Sequence, residues 1–532
     1  FTYDRAGNLI GYDDDTTSAV YSYDDLNRKI GETVNYGPFA LTNSYTYYNN
    51  GLKETFTGPD SVTYTYTYDA ANRLTGVEIP GQGTITYSAY TWNRPDEVIL
   101  PGGSRRQYVY DPLMRVKSIT VKDPGQNVVM GYQYIYDKMD NITTKTTEHG
   151  PYEYSYDDLY RLANANNPVQ TDETYSYDGV GNRLTSAEHT DWSYNTSNEL
   201  QGFDGVAFQY DDNGNTIEKN DNGNITKYFF NIEDRMVRVE DGAGTLIATY
   251  YYDPFGRRLW KEVDDIRTYF VYSEEGLVSE YDEDGQQIRS YGYNPGSTWT
   301  TDPLFMKVGA QYYFYQNDHL VTPQMITSVS GAVVWLANYS SYGEGSVEVS
   351  TVDNNLRFAG QYFDSETGLH YNYWRYYDPK LGRYLRADPI GLKGGINPFV
   401  YTRNNPLRFI DKFGLWCGSG WSERIVPDKP AGYDFSDCCR KHDNCYGGKQ
   451  DDQGNDQCIK LQEDCDKVLL YCMLKVCEKE NDDALTQHIQ YFPENKFYGQ
   501  SRTECERIAW DYYRAVRWLG ARYFNSGREN SS

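Results

Sequence analysis

Ten residues, Asp437 to Tyr446 (DCCRKHDNCY), carry three cysteines, one histidine and two aspartates. Core packing has no use for such a density of ligating side chains. A helix through the run puts Cys438, His442 and Cys445 at i, i+4 and i+7 on one face, with Cys439 and Asp443 roughly 100° round from them. Ser436 stands as N-cap and Gly447 as stop, which predicts one short helix. A His and an Asp side by side on a rigid helix suit the pairing of a general base with a metal. Zinc through Cys438, Cys439, His442 and Cys445 is the competing metal reading, although vicinal cysteines point to different faces of a helix. A second set of carboxylates stands upstream, in two Asp-x-x-Gly-Leu turns, Asp388–Leu392 and Asp411–Leu415, 23 residues apart. The bland reading of each turn alone is structural.

The string DCCRKHDNCY resembles the active-site helix of secreted phospholipases A2, C-C-x-x-H-D-x-C-Y. Upstream, Trp416-Cys417-Gly418-Ser419-Gly420 is similar to the W-C-G-x-G calcium loop of that family's venom and invertebrate branch. Downstream, Asp464-Cys465-Asp466 resembles its C-x-C-D segment, with Glu463 in place of the first cysteine. Calcium is a hard ion that takes oxygen ligands, and a Gly-rich loop can turn its carbonyls inward. The resemblance implies a Ca2+ cofactor held by Trp416, Gly418, Gly420 and Asp443, with His442 as general base. It also implies that Asp466 orients His442, that Tyr446 fixes Asp466, and that the bridges are Cys417–Cys439, Cys438–Cys472 and Cys445–Cys465. Cys458, Cys477 and Cys505 are left over. Residues 456–478 read as an amphipathic helix, and Arg502 to Phe524 as a further helical stretch whose aromatic face is either core or lipid-facing.

The chain that must position these groups has 532 residues, 55 of them tyrosine and 47 glycine. All nine cysteines fall between Cys417 and Cys505, which marks a domain boundary and an oxidising compartment for the last segment. No run approaches a membrane span, and residue 1 begins inside a repeat, so the chain is expected to be a fragment. Net charge is −26, with 16 Lys+Arg against 20 Asp+Glu in residues 416–532. Without a basic stripe, that charge excludes nucleic acid as a partner in this reading.

From Tyr3 to about Tyr281 a Tyr-Asp signature recurs, as in YDRAGNLIG at Tyr3, YDDLNRKIG at Tyr23, YDAANRLTG at Tyr68 and YDGVGNRLT at Tyr177, often 20–21 residues apart. Such a period denotes an array of one supersecondary unit. The alternation in Tyr64-Thr65-Tyr66-Thr67-Tyr68 predicts strand, and Asp-x-x-(Gly/Asn) predicts a tight turn with positive φ, so each unit is a β-hairpin. This resembles the YD-repeat, or Rhs, family, whose strips spiral into a hollow β-shell around a C-terminal passenger. Asp318-His319-Leu320-Val321-Thr322-Pro323 is similar to its "DHLGTP" landmark, and Leu356 to Leu392 to its core-terminating region. In that family the core cuts itself through paired aspartates. The matching positions are Asp388 and Asp411, with Lys412 where the family has Pro and with Arg375 and Asp378 as supporting residues.

The expected architecture is therefore a mainly β repeat shell followed by a small disulfide-rich all-α domain: a YD/Rhs strip over 1–310, a core-terminating region over 311–415, and a phospholipase A2-like toxin domain over 416–532. The expected function is a calcium-dependent phospholipase A2 that hydrolyses the sn-2 ester of membrane phospholipids and is released by cleavage after Leu415. Its partners would be a target-cell phospholipid membrane, an immunity protein and delivery machinery, and the protein would be secreted or delivered into a target cell. The competing class is a surface or adhesion protein with an inactive phospholipase-like binding module.

Overall fold

A computed structural model describes residues 1–415. The tyrosine-rich repeats form hairpins, and within each sheet every strand is antiparallel to its neighbours. One sheet holds 17 strands, from Thr2–Tyr3 to Glu173–Thr174, and a second holds 16, from Ser193–Tyr194 to Gly345–Ser350. The hairpin array thus runs on past residue 310. In Thr63–Tyr68 the period-two pattern buries Tyr64 and Tyr66 and leaves the threonines on the other face. That face carries threonine pairs across strands, such as Thr57 with Thr63 (2.8 Å) and Thr33 with Thr42 (2.9 Å).

The Tyr-Asp signature builds the turn. Asp24 Oδ1 accepts the backbone N–H groups of Leu26 and Arg28, and its Oδ2 accepts Arg28 Nε at 2.7 Å. Asn27 takes the left-handed conformation (φ 58°) that Asn tolerates better than most residues. The pairing register slips between Ser22 and Tyr23, a bulge that swings the tyrosine so that its hydroxyl donates to Leu9 O at 2.8 Å on the neighbouring strand. Tyr68 does the same to Lys53 O, Tyr136 to Val116 O and Tyr252 to Met236 O. Each tyrosine thus fills space with its ring and satisfies a strand-end carbonyl with its tip.

The second sheet lies on the first, and their contacts advance in step along the chain. Tyr36 Oη donates to Phe270 O (2.8 Å), Asn43 Nδ2 to Tyr272 O (2.9 Å) and Arg106 Nε to Gln316 Oε1 (3.1 Å). Beyond the first sheet, the hydroxyl of Tyr177, in the two-stranded sheet Ser176–Tyr177 and Arg183–Thr185, meets the Tyr342 hydroxyl at 2.7 Å. The strip has therefore turned and begun a second lap over the first. Between the laps lies one apolar cluster that includes Tyr45, Ile85 and Val98 from the first sheet and Phe270, Phe305 and Trp335 from the second.

A four-stranded sheet follows: Tyr362–Asp364, Leu369–Asn372, Arg375–Asp378 and Arg383–Tyr384. It and the turns after it dock on both laps. Asn405 Nδ2 donates to Asn141 Oδ1 and Tyr160 O, Asn404 Nδ2 to Gly181 O, and Thr216 Oγ1 to Leu385 O. The deepest tie is ionic. Arg258, 1 % exposed, grips both oxygens of Asp364 (2.5 and 2.9 Å), and Lys261 adds a contact at 3.1 Å. Burial would push the Asp364 carboxyl up, but the Arg258 and Lys261 charges outweigh it and hold it below the usual range.

A depressed carboxylate stabilises the fold at neutral pH, and that contribution is lost as pH falls through the folded-state value. Asp364→Ala, which leaves Arg258 buried with its charge unanswered, is expected to destabilise the protein by ~3–5 kcal/mol at pH 7. Tyr136→Phe, which removes a single hydroxyl tie, is expected to cost only ~1 kcal/mol. Thermal unfolding of the two full-length variants beside wild type checks the order.

Candidate active site

The hairpin of Leu369–Asn372 and Arg375–Asp378 receives the last described residues along its turn. Trp374 N donates to Phe413 O at 3.1 Å, Asn372 Nδ2 to Asp411 O at 2.8 Å, and Arg375 Nε to the Gly414 carbonyl. Gly414 sits at φ 65°, and a Cβ there would stand 2.5 Å from Asn372 O, so only glycine lets the segment approach this closely.

These contacts bring Asp388 and Asp411 together. Arg375 Nη2 lies 3.0 Å from Asp388 Oδ2 and 3.0 Å from Asp411 Oδ2, so the two carboxylates converge on a single nitrogen. All three side chains are buried. Asp411 Oδ1 accepts the backbone N–H of Leu415 at 2.9 Å, which folds the chain back on itself across four residues. Asp411 Oδ2 also accepts the Tyr384 hydroxyl at 2.7 Å. The Tyr384 ring lies 3.6 Å beneath the Arg375 guanidinium, a cation–π contact that fixes the fork from below. On the other side, Asp388 Oδ1 accepts Ile390 N at 3.0 Å, and Arg375 Nη1 donates to Pro398 O at 2.9 Å. Gly394 leaves the space above Asp388, where a Cβ would come within 2.5 Å of Oδ2.

Burial pushes the Asp411 carboxyl above the ordinary aspartate range, and the Asp388 charge adds to the push. Arg375, Tyr384 and the Leu415 N–H oppose it without cancelling it. A buried cluster of one guanidinium and two carboxylates is electrically neutral with one proton on the pair and carries excess negative charge without it. The arrangement can therefore hold one acid and one base side by side, which is what amide hydrolysis by a carboxyl pair requires.

Of the residues singled out in the sequence, Asp388, Asp411 and Arg375 meet here. Asp378 does not: its Oδ1 accepts Lys380 N and Leu381 N in a turn, and its Oδ2 lies 3.5 Å from Lys219 Nζ. Lys412, where the resembling family has Pro, turns its ammonium toward Thr298 Oγ1 at 3.4 Å. His442, Asp466, Tyr446, Trp416, Gly418, Gly420 and Asp443 lie outside the described residues, as does the expected all-α domain. Sequence reasoning missed Tyr384 and Asn372. Both lie inside the Leu356–Leu392 stretch, but no spacing within it singles them out. They face Asp411 because the second and fourth strands of the four-stranded sheet, on either side of Arg375–Asp378, place them there.

The family model described as Teneurin YD-shell matches residues 1–165 and 135–406. The double-stranded DNA deaminase toxin A of Burkholderia cenocepacia is 30 % identical over 458 residues, spanning 78 % of this chain and 30 % of that protein. The tRNA nuclease WapA of Bacillus subtilis is 31 % identical over 282 residues, 49 % of this chain and 12 % of that one. The chain thus spans under a third of the length of either relative. Among solved structures, the crystal structure of TcdB2–TccC3–Cdc42 shares the fold with a TM-score of 0.65 at 17 % identity, covering 77 % of this chain and 24 % of that one.

These names correct three expectations. A calcium-dependent phospholipase A2, a phospholipid membrane as its target, and the exclusion of nucleic acid all stand against relatives named for a DNA deaminase and a tRNA nuclease. The exclusion rested on the net charge of the whole chain, and all but −4 of the −26 lies in residues 1–415. There many aspartates, such as Asp24, Asp69 and Asp157, are committed to closing hairpin turns. That charge describes the repeats and not the segment after them. The phospholipase reading itself rested on short motifs confined to residues 416–466.

Gly414→Ala is expected to lower the thermal midpoint of the full-length protein by an amount equivalent to ~1–2 kcal/mol or more. The added Cβ meets a carbonyl, and the left-handed backbone is strained for alanine. A midpoint equal to wild type would show that the segment is not held as described.

Proposed function

The chain belongs to the Teneurin YD-shell family, and from that premise we propose that residues 1–415 are the carrier part of a toxin that severs itself after Leu415. The segment beginning at Trp416 is then the released effector. The observation that carries this reading is the Asp411 carboxylate, which holds the N–H of Leu415 while sharing Arg375 Nη2 with Asp388. Asp388 is the general base: it takes a proton from a water whose oxygen bonds to the Leu415 carbonyl carbon. Asp411, the carboxyl pushed upward by burial, is the acid that gives its proton to the Trp416 nitrogen as the C–N bond breaks. The products are a Leu415 carboxylate and a free Trp416 amine. Arg375, by holding the Gly414 carbonyl, fixes the approach of the scissile bond. Asp388 and Asp411 are the catalytic residues of this reading, and 1–310, 311–415 and 416–532 its strip, terminating region and effector.

The effector is carried to a target cell by delivery machinery, and an immunity protein protects the producer. The relatives' names, a deaminase of double-stranded DNA and a nuclease of tRNA, make nucleic acid the target class in this reading.

Intact-mass spectrometry of the expressed full-length chain is expected to give two pieces, one ending at Leu415 and one starting at Trp416. Asp388→Asn and Asp411→Asn are expected to stay whole. An unbroken wild-type chain, or aspartate variants cut like wild type, would overturn the reading. An acid whose pKa is raised loses its proton only as pH climbs through the raised value, so cleavage on refolding is expected to be faster at about pH 5 than at about pH 8. Incubation of the cleaved protein with plasmid DNA and with tRNA is expected to break or deaminate one of them, and both left unaltered would remove nucleic acid as the target class.

A further inference from the structure

Resting on the self-cleavage reading, we propose that Tyr384 is a positioning residue for that reaction: Asn372 forces its hydroxyl proton onto the Asp411 oxygen that also faces Arg375, and this sets the pH range in which Asp411 serves as the acid. The direction of the hydroxyl follows from a chain of obligations. Asn372 Nδ2 donates to the Asp411 backbone carbonyl at 2.8 Å, and a carbonyl can only accept, so the amide nitrogen and not its oxygen must face this side. The same Nδ2 lies 2.9 Å from Tyr384 Oη and therefore donates to it as well. With its lone pair engaged by Asn372, the phenol points its own proton at the remaining partner, Asp411 Oδ2 at 2.7 Å.

Burial, reinforced by the Asp411 charge, holds the Tyr384 phenol well above its usual range, so it keeps this proton throughout the accessible pH scale. A hydrogen bond given to a carboxylate favours the ionised form. Tyr384 thereby restrains the upward push that burial and Asp388 exert on Asp411, and without it Asp411 would hold its proton to still higher pH. The charged and titratable groups around Asp411 come from four elements. They are Arg375 on Arg375–Asp378, Asp388 on the loop after the four-stranded sheet, Tyr384 on Arg383–Tyr384, and Tyr401 just before the Thr402–Asn404 turn. Arg386 adds its charge on the Asp388 side. Tyr384→Phe leaves the other groups in place and keeps the ring under the guanidinium; it removes the proton given to Asp411 Oδ2 and, with it, the acceptor of one Asn372 N–H.

The experiment is refolding of the full-length chain from denaturant into buffers across the pH scale, with appearance of the Trp416 N-terminus followed by mass spectrometry. In wild type the rate falls on the alkaline side as Asp411 loses its proton. Tyr384→Phe is expected to move that alkaline limb to higher pH by about one to two units, the equivalent of one hydrogen bond to a charged group. Its rate at the acidic end should stay near wild type. Asn372→Ala, which frees the hydroxyl to turn away, is expected to move the limb in the same direction by less, and it carries the test alone if Tyr384→Phe yields no folded protein. A limb left in place, or a rate lowered by the same factor at every pH, overturns the role of Tyr384 while leaving self-cleavage intact. A wild-type chain that stays whole at every pH overturns the self-cleavage reading, and this inference with it.

Discussion

The fold depends on one local bargain, repeated along the chain: an aspartate closes the backbone of its own turn, and the tyrosine before it ties the hairpin to the preceding strand. A long antiparallel strip is vulnerable at its hairpin ends, where carbonyls and N–H groups run out of ladder partners. Asp24, Asp69 and Asp157 satisfy the N–H groups, and Tyr23, Tyr68 and Tyr136 satisfy the carbonyls. The bulge at each Tyr-Asp step turns the ring toward its acceptor. Because both ties are made within about one repeat, the strip is specified locally, and its abundance of tyrosine reflects hydrogen bonding as much as bulk.

That locality explains what could be read from the residues alone. The strands, the positive φ at the turns and the hairpin repeat all follow from patterns shorter than a dozen residues. The stacking of one lap on the other does not, because it rests on pairs such as Tyr36 with Phe270 and Arg106 with Gln316, which are more than 200 residues apart and share no motif. Whole-chain net charge misled for a related reason. Many of the carboxylates behind it have a structural task, so the sum says little about what any one segment binds.

The carboxyl pair shows the same division. Asp388 and Asp411 stand out because each opens the same five-residue pattern, and Arg375 because it lies in an aromatic-rich run beside them. Tyr384 and Asn372 lie in the same terminating stretch but are set apart by no pattern, and their importance lies in where the antiparallel sheet places them. The cluster is also supported from far away. Its sheet is pinned through Asp364 to Arg258 and the turns after it through Asn404 to Gly181 and Asn405 to Asn141, so the geometry at Asp411 is underwritten by both laps.

The stacked laps carry a further consequence, for how such a chain can lengthen. An open solenoid accepts a duplicated repeat anywhere, since each unit meets only its neighbours in sequence. Here a unit added to the first lap would slide every later partner out of alignment, setting Asn43 against a residue other than Tyr272 and Lys53 away from Glu275. Growth by single duplications is therefore penalised, and compatible insertions must come as matched sets in both laps or at hairpin tips that face away from the seam. The ladder of repeats is free in its local spelling and fixed in its count.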